Sequence, residues 1–303
     1  MGKGWLEMIF TEGPMFGRLL TAMVTPFGAD LALDLGAAAD LARYLVDDQN
    51  MDGLVINGTT GEAPTTTAEE KIALLETVVA AVGDRASVVA GVGSFDTAHT
   101  IKSLLAAQQA GVDGALVVTP YYNRPPQSGL IGHFTAVADA GDLPIMIYDI
   151  PKRTGTAVET ATMIELAGHP RIVAVKDAKG DLTASAQVLA ATDLLYYAGD
   201  DAMTLPTLSI GGVGLVGTST HFSGRGTKQL IQAFVDGKTD EALRLHRTLL
   251  PIFTGVFASQ GCILVKAGLQ LRGHPVGGLR SPMVAATDEE RTALEQALAA
   301  AGL

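Results

Sequence analysis

Short apolar runs, rich in β-branched residues, alternate along most of this chain with longer stretches whose apolar positions recur every three or four residues. A short continuous apolar run fits a strand buried on both faces, and the 3.6-residue period fits an amphipathic helix. The runs predict strands at Leu20–Thr25, Gly53–Asn57, Ser87–Val92, Ala115–Thr119, Ile145–Tyr148, Ile172–Lys176, Leu194–Ala198 and Gly214–Thr218. The stretches between them predict helices at Leu35–Gln49, Ala68–Val82, Thr97–Ala110, Gly129–Ala140, Glu159–Ala167, Thr183–Ala191, Ala202–Ile210 and Gly224–Val235. Local chemistry punctuates them: Asp96 and Thr97 suit a helix start, Gly111 a helix end, and Pro120 and Pro151 fall where the chain must leave a sheet.

Eight successive βα units within residues 17–237 predict an α/β fold, a (β/α)8 TIM barrel. A doubly wound sheet is the alternative, but its phosphate-binding Gly-x-Gly-x-x-Gly turn after the first strand is absent; Gly91-Val92-Gly93 is only a fragment of one. Residues 238–303 read as a C-terminal helical region, with Glu241–Thr254, Cys262–Leu271 and Asp288–Ala301 as its best segments. Residues 1–16 read as a loose N-terminal extension, in which Trp5, Met8 and Ile9 are the residues able to pack on the body.

One residue breaks the apolar pattern. Lys176 closes the run Ile172-Val173-Ala174-Val175, whereas the other eight of the nine lysines fall in helical, loop or terminal stretches where the ammonium can reach water. An amine held at the end of a buried strand is desolvated, which lowers its pKa and frees a lone pair for attack on a carbonyl. The same spacing also fits a strand that simply ends at Lys176, with its ammonium in solvent.

In a barrel, functional groups come from the C-terminal strand ends and the loops after them. After the second predicted strand comes Asn57-Gly58-Thr59-Thr60-Gly61-Glu62, a turn that can offer backbone N–H groups and hydroxyls to a carboxylate. The fourth strand leads into Tyr121, Tyr122, Asn123 and Arg124 between prolines, and the fifth ends in Tyr148 with Arg153 just beyond. A phenol beside Lys176 can shuttle protons during imine formation, and an arginine can grip a carboxylate bidentately. Each feature alone has an ordinary structural explanation. Together they describe a site that binds a 2-oxo acid, condenses it with Lys176 and holds a second carboxylated substrate.

Composition narrows the partners. A formal charge of −11 disfavours nucleic acid and acidic membrane surfaces, yet leaves room for a small anion held by a local field. No apolar stretch approaches a membrane span, and the first sixteen residues lack a secretory pattern, so a cytoplasmic protein is expected. Leu6 stands where a myristoylation signal needs Ser or Thr. Cys262, the only cysteine, excludes an intrachain disulfide and reads as a small core residue. His99, His133, His169, His221, His246 and His274 lack metal-site spacing and read mostly as surface residues of helices and loops. No metal is expected.

The segments Gly58-Thr59-Thr60-Gly61-Glu62, Val118 to Pro125, Tyr148-Asp149-Ile150-Pro151 with Arg153-Thr154-Gly155, and Val175-Lys176-Asp177-Ala178 occur in this order. In sequence and separation they resemble the dihydrodipicolinate synthases, of the class I pyruvate-aldolase superfamily that includes N-acetylneuraminate lyase. The likeness runs from about Leu19 to the C-terminus. It implies that Lys176 forms a Schiff base with pyruvate, and that Thr59, Tyr122 and Tyr148 relay protons. It further implies that Thr60 and Gly58 hold pyruvate, that Val216 faces the site through its backbone carbonyl, and that Arg153 receives the carboxylate of L-aspartate 4-semialdehyde. The product implied is 4-hydroxy-tetrahydrodipicolinate, the first committed intermediate of diaminopimelate and lysine biosynthesis, and no cofactor is implied. In similar proteins Tyr122 completes the triad of a neighbouring subunit, so a homotetramer built as a dimer of dimers is expected.

Two departures stand out. Asp149 replaces the asparagine of many relatives, and the positions that would form a lysine-responsive regulatory site read Ala63, Pro64, Ala68, Lys71, Phe95 and His99. Weak or absent inhibition by lysine is therefore expected. Two other readings remain: a superfamily aldolase acting on a sugar-derived 2-oxo acid, against which Arg153 counts because the neuraminate lyases lack an arginine at this place in their pattern, and a non-catalytic barrel that binds oxo acids.

Overall fold

The structure, a computed structural model, describes residues 13–303; Trp5, Met8 and Ile9 lie outside them. Eight parallel strands close on themselves in chain order: β1 (Leu19–Ala22), β2 (Gly53–Ile56), β3 (Ser87–Gly91), β4 (Gly114–Val118), β5 (Ile145–Asp149), β6 (Ile172–Asp177), β7 (Leu195–Ala198) and β8 (Gly214–Gly217), the last pairing with β1. The expected (β/α)8 barrel is what forms.

The connecting helices are α1 (Leu35–Arg43), α2 (Ala68–Val82), α3 (Thr97–Gln109), α4 (Gln127–Ala140), a single turn α5 (Pro151–Thr154), α6 (Thr160–Leu166), α7 (Leu182–Ala191), α8 (Thr204–Ser209) and α9 (Thr220–Val235). Three more follow as a C-terminal layer: α10 (Thr239–Gly255), α11 (Gly261–Leu271) and α12 (Asp288–Ala300). Their starts follow from capping chemistry. Asp96 accepts the His99 N–H at the head of α3, and Thr67 with Glu70 forms a reciprocal capping box on α2.

Some predicted boundaries move. The helix expected over Leu35–Gln49 is α1 followed by a wider π-helical turn, Tyr44–Asp48, closed by the Gln49 N–H on the Tyr44 carbonyl. The helix α9 begins at Thr220, before Gly224 rather than at it. Gly224 is there for close approach: a Cβ would meet Met51 at 2.3 Å and the Gln49 carbonyl at 2.5 Å.

The strand period of two divides the core. Leu20, Ala22, Val55, Val89, Leu116, Met146, Tyr148, Ala174, Tyr197 and Val216 fill the barrel interior, with Phe16 closing its floor. The intervening residues, such as Leu19, Leu54, Ile56, Val88, Ile145, Ile147 and Val175, pack outward under the helices. One irregularity sets the site. Ile145 pairs with Ile172 but Met146 pairs with Ala174, so Val173 is an extra residue in β6. From there the register runs Tyr148 to Lys176 and Asp149 to Asp177. Without the bulge Tyr148 would stand level with outward-facing Val175, because a one-residue slip exchanges the faces of a strand.

Two expectations about side chains need correction. Lys176 is not the only lysine kept from water. Lys266 on α11 is 1% exposed, its ammonium 2.7 Å from Glu62 Oε1, 2.6 Å from the Gly278 carbonyl and over the Phe27 ring. Helical spacing gave no hint of this, because the partner lies about 200 residues away in the chain. Nor are the histidines mostly on the surface: His133 and His221 are buried, His169, His246 and His274 are half-buried, and only His99 is exposed. His221 receives the Val24 N–H and faces the Thr218 carbonyl, joining the ends of β1 and β8, and burial lowers its pKa to about 4.

Candidate active site

The geometry of β5 and β6 puts Tyr148 and Lys176 side by side and pointing into the barrel mouth. The Lys176 nitrogen lies 4.5 Å from the centre of the Tyr148 ring, and the two residues are 5% and 6% exposed. Burial pushes the amine down to about 8; Asp201 opposes this and the nearby Arg153 charge reinforces it. At pH 7 roughly a tenth of such amines are neutral, against about 0.03% for an ordinary lysine. The same burial pushes the Tyr148 phenol up to about 12, against the Arg153 charge and a hydrogen bond with Thr59. The phenol therefore stays protonated and can donate.

The Thr-Thr turn is shaped by its own backbone. The Gly58 carbonyl accepts the Gly61 and Ala63 N–H groups, the Thr59 carbonyl accepts that of Glu62, and Glu62 itself sits at φ 54°. Among the described residues no acceptor takes the N–H groups of Thr59 and Thr60, which leaves them for an anion. The C-terminal layer braces this turn from behind. Glu62 pairs with Lys266 and accepts the Arg280 N–H, while Arg280 clamps Glu70 with both terminal nitrogens.

Thr59, Thr60, Tyr148, Ile150, Arg153, Lys176, Gly199 and Thr218 line one cavity, together with Phe257, Gln260, Gly261 and Cys262 ahead of and within α11. Arg153 enters on the single turn α5, and among the described residues no carboxylate pairs with its guanidinium. Thr60 Oγ1 lies 3.4 Å from Thr218 Oγ1. Cys262 is buried, its thiol pushed up to about 12, mainly by burial.

Not every expected residue joins this cavity. Gly58 lines a neighbouring cavity, which shares Thr59 and Tyr148 with the first and includes Ala63, Pro64, Lys71, His99 and Tyr121. The Val216 side chain belongs to the barrel interior below the cavity. Tyr122 is 93% exposed, and its backbone is held at φ 72°, with Arg124 at 49°. Left-handed backbone at a bulky residue costs on the order of 1–3 kcal/mol and is kept only where its surroundings enforce it.

Asp201 carries a role that sequence spacing did not expose. Fully buried, it accepts N–H groups from Thr218 and Ser219 and the Ser219 hydroxyl, and it is the negative charge acting on Lys176. Burial raises its own pKa. A buried carboxylate opening a helical turn beside Asp200 looks like a cap from sequence, and Asp200 is the residue that caps, accepting the Ala202 N–H.

A parallel (β/α)8 barrel with a desolvated lysine beside a phenol at its C-terminal mouth defines a lyase of the imine-forming class I aldolase type. Comparison with known proteins agrees. Residues 15–301 match the model of the dihydrodipicolinate synthetase family, and the chain belongs to that family. It is 62% identical over 287 residues to the 4-hydroxy-tetrahydrodipicolinate synthase of Acidothermus cellulolyticus, covering 95% of this chain and 93% of that one. With the 4-hydroxy-tetrahydrodipicolinate synthase of Cutibacterium acnes it shares 61% over 279 residues, 92% and 95% of the two chains. The crystal structure of DHDPS from Cyanidioschyzon merolae with lysine bound superimposes with a TM-score of 0.93 at 42% identity, covering 95% of this chain and 99% of that one.

Proposed function

We propose that this chain condenses pyruvate with L-aspartate 4-semialdehyde to give 4-hydroxy-tetrahydrodipicolinate, the entry to diaminopimelate and lysine biosynthesis; relatives 50–62% identical to it are named 4-hydroxy-tetrahydrodipicolinate synthases. One observation carries the chemistry: a buried amine with lowered pKa stands beside a protonated phenol, with an arginine that no carboxylate pairs among the described residues on the same cavity wall.

Neutral Lys176 attacks the keto carbon of pyruvate to give a carbinolamine. Tyr148, hydrogen-bonded to Thr59, donates the proton with which the hydroxyl leaves as water, and the imine forms. The free N–H groups of Thr59 and Thr60 and the Thr60 hydroxyl hold the pyruvate carboxylate. Loss of a methyl proton from the iminium gives the enamine, whose carbon adds to the aldehyde of the second substrate. Arg153 fixes that substrate by its carboxylate. The substrate amine then attacks the imine carbon, closing the ring and releasing Lys176. Positive charge on the iminium is the electron sink throughout.

Tyr122 fits this scheme through assembly. Exposed on a left-handed backbone, it serves the cavity of a second copy, and Tyr122 of the partner subunit completes the Tyr148–Thr59 relay here. The working form is a homotetramer in which each dimer builds two sites, acting in the cytoplasm. Among the described residues no helix is long and apolar enough to cross a membrane.

A product assay tests the function: pyruvate and the semialdehyde, coupled to the NADPH-dependent reductase that consumes the product. Borohydride reduction with pyruvate adds the mass of the reduced pyruvyl group to the wild type and none to Lys176→Ala. Turnover of a sugar-derived oxo acid in place of the semialdehyde, or an unaltered mass, overturns the reading.

A further inference from the structure

Directly behind the reactive pair lies a second, outward-facing pair of strand residues. Asp149 follows Tyr148 on β5, Asp177 follows Lys176 on β6, and the two are register partners. Asp177 is fully engaged, accepting the Lys179 and Gly180 N–H groups and the Ser185 hydroxyl. Asp149 is 1% exposed and has fewer partners: the Val158 N–H at 3.2 Å and the Lys179 ammonium at 3.5 Å. Lys179 also donates to the Val158 carbonyl at 3.3 Å.

These contacts join three points of the chain. Asp149 and Val158 are the two ends of the loop that carries α5 and Arg153, and Lys179 sits three residues after Lys176. Among the described residues no hydrogen bond or ion pair holds the Arg153 side chain, so its place in the cavity follows from the shape of its loop, which Arg124 and Gln127 also hold through the Gly155 and Ala157 carbonyls.

We propose that Asp149 and Lys179 are a positioning pair: their ion pair closes residues 150–157 into a loop of fixed shape, staples it to the end of β6, and so sets where Arg153 meets the second substrate. The proposal rests on the reading of Arg153 given above. An asparagine at 149 would still accept the Val158 N–H but would give Lys179 no charge to pair with, so charge and hydrogen bonding can be separated.

The pair also answers to pH. Asp149 is pushed up to about 6, chiefly by burial, with Asp177 adding to the rise and Lys179 opposing it. From β7 the phenol of Tyr196 faces both carboxylates and stays protonated, and Lys152 and Arg153 ride on the loop itself. Below about pH 6 Asp149 becomes neutral and the pair is lost.

The test uses saturating pyruvate and varied semialdehyde between pH 5 and 9. Semialdehyde adds only after Lys176 has become the enamine, so kcat/KM for semialdehyde does not read the free amine. The wild type should lose kcat/KM below about pH 6. Asp149→Asn should lower it about 10- to 100-fold at pH 8, mainly through KM, and remove the acid fall. Its borohydride trapping with pyruvate should stay within about twofold, since Lys176 and Tyr148 are untouched. Lys179→Met, which leaves Asp149 without its cation, should show the same loss at pH 8 and no acid fall, and Lys179→Arg, which keeps the charge, should restore most of the rate and the acid fall. Unchanged semialdehyde KM and acid fall in Asp149→Asn overturn the proposal. So does an equal loss of trapping and of semialdehyde use, which marks a merely structural role. A wild type that gains no mass with pyruvate and borohydride overturns the functional reading, and this proposal with it.

Discussion

Tyr148 and Lys176 are register partners across β5 and β6, and the extra residue Val173 is what brings them level. The phenol ring therefore stands 4.5 Å from the amine while its hydroxyl bonds to Thr59. In the proposed mechanism ring and hydroxyl do separable things: the ring desolvates the amine, and the hydroxyl moves protons.

Tyr148→Phe should keep the first and remove the second. We expect kcat to fall about 10²- to 10³-fold, the usual worth of a placed general acid. Pyruvate should still be trapped on Lys176, more slowly, and the melting temperature should change little. Steady-state coupled kinetics beside a trapping time course decide it; a kcat within threefold of wild type would remove Tyr148 from the relay.

Lys176 works at a cost to the fold. Its folded pKa, about 8, lies below the ordinary 10.5, mainly through burial. A base whose folded pKa is depressed destabilises the protein fully below the folded value, less between the two, and not at all above the unfolded one. The drop corresponds to roughly 3 kcal/mol. Lys176→Met should therefore be inactive yet more stable at pH 7, by up to about that amount, with the gain shrinking above pH 8 and gone near 10.5. Asp201 keeps its Thr218 and Ser219 donors, so the sign of the change survives the loss of its cation. Urea unfolding at pH 7 and pH 9.5 would show it. A less stable variant at pH 7 contradicts the claim that the amine is held desolvated.

Arg153 is charged, borne on a single helical turn, and unpaired among the described residues. Arg153→Ala should leave pyruvate trapping within about twofold of wild type while kcat/KM for the semialdehyde falls about 10²-fold, the worth of a charge-assisted bidentate contact. Equal losses for both substrates would place Arg153 in the pyruvate half of the reaction instead.

The strands and most helices were legible because each depends on the spacing of its own apolar residues, and α2 falls on the predicted span, Ala68–Val82. Lys176 was legible for the same reason, as a charge where the strand pattern demands an apolar residue. What stayed hidden depends on partners far along the chain. The bulge at Val173 exists only in the pairing of β6 with β5, and the burial of Lys266 only in its meeting with Glu62. The role of His221 needs the ends of β1 and β8 to be adjacent. Residue spacing groups Tyr122 with the other phenols, and only the family resemblance assigned it to a neighbouring subunit; the left-handed turn after β4 leaves it exposed, and no local pattern encodes that direction.

The Lys266–Glu62 pair is the bolt between the C-terminal layer and the Thr-Thr turn. Both side chains are 2% exposed. Removing one member of a buried pair strands the other charge, at about 3–5 kcal/mol. Lys266→Met should lower stability by that order in urea, and kcat should fall with it as the turn bearing Thr59 and Thr60 loosens. The double variant Lys266→Met with Glu62→Gln should recover part of the stability. If the single variant is as stable as wild type, the pair does not brace the turn.

The cavity next to the active site bears on regulation. It shares Thr59 and Tyr148 with the candidate active-site cavity, so an occupant reaches the side chains of the proposed proton relay directly. The relative from Cyanidioschyzon merolae was crystallised with lysine bound. Here the walls include Ala63, Pro64, Lys71 and His99, with Ala68 in the small adjoining pocket, while Phe95 stands 55% exposed beside Tyr121. The Lys71 ammonium, bonded to the Thr66 carbonyl at 2.8 Å, sets a positive charge in this wall. A free lysine brings one more ammonium than it can pair here, and like charges in a partly desolvated cavity repel. Inhibition by L-lysine should therefore be weak or absent, with activity nearly constant up to millimolar concentration in the coupled assay. Lys71→His should lower the charge near neutral pH and make any residual inhibition stronger; half-inhibition of the wild type by sub-millimolar lysine would refute the argument.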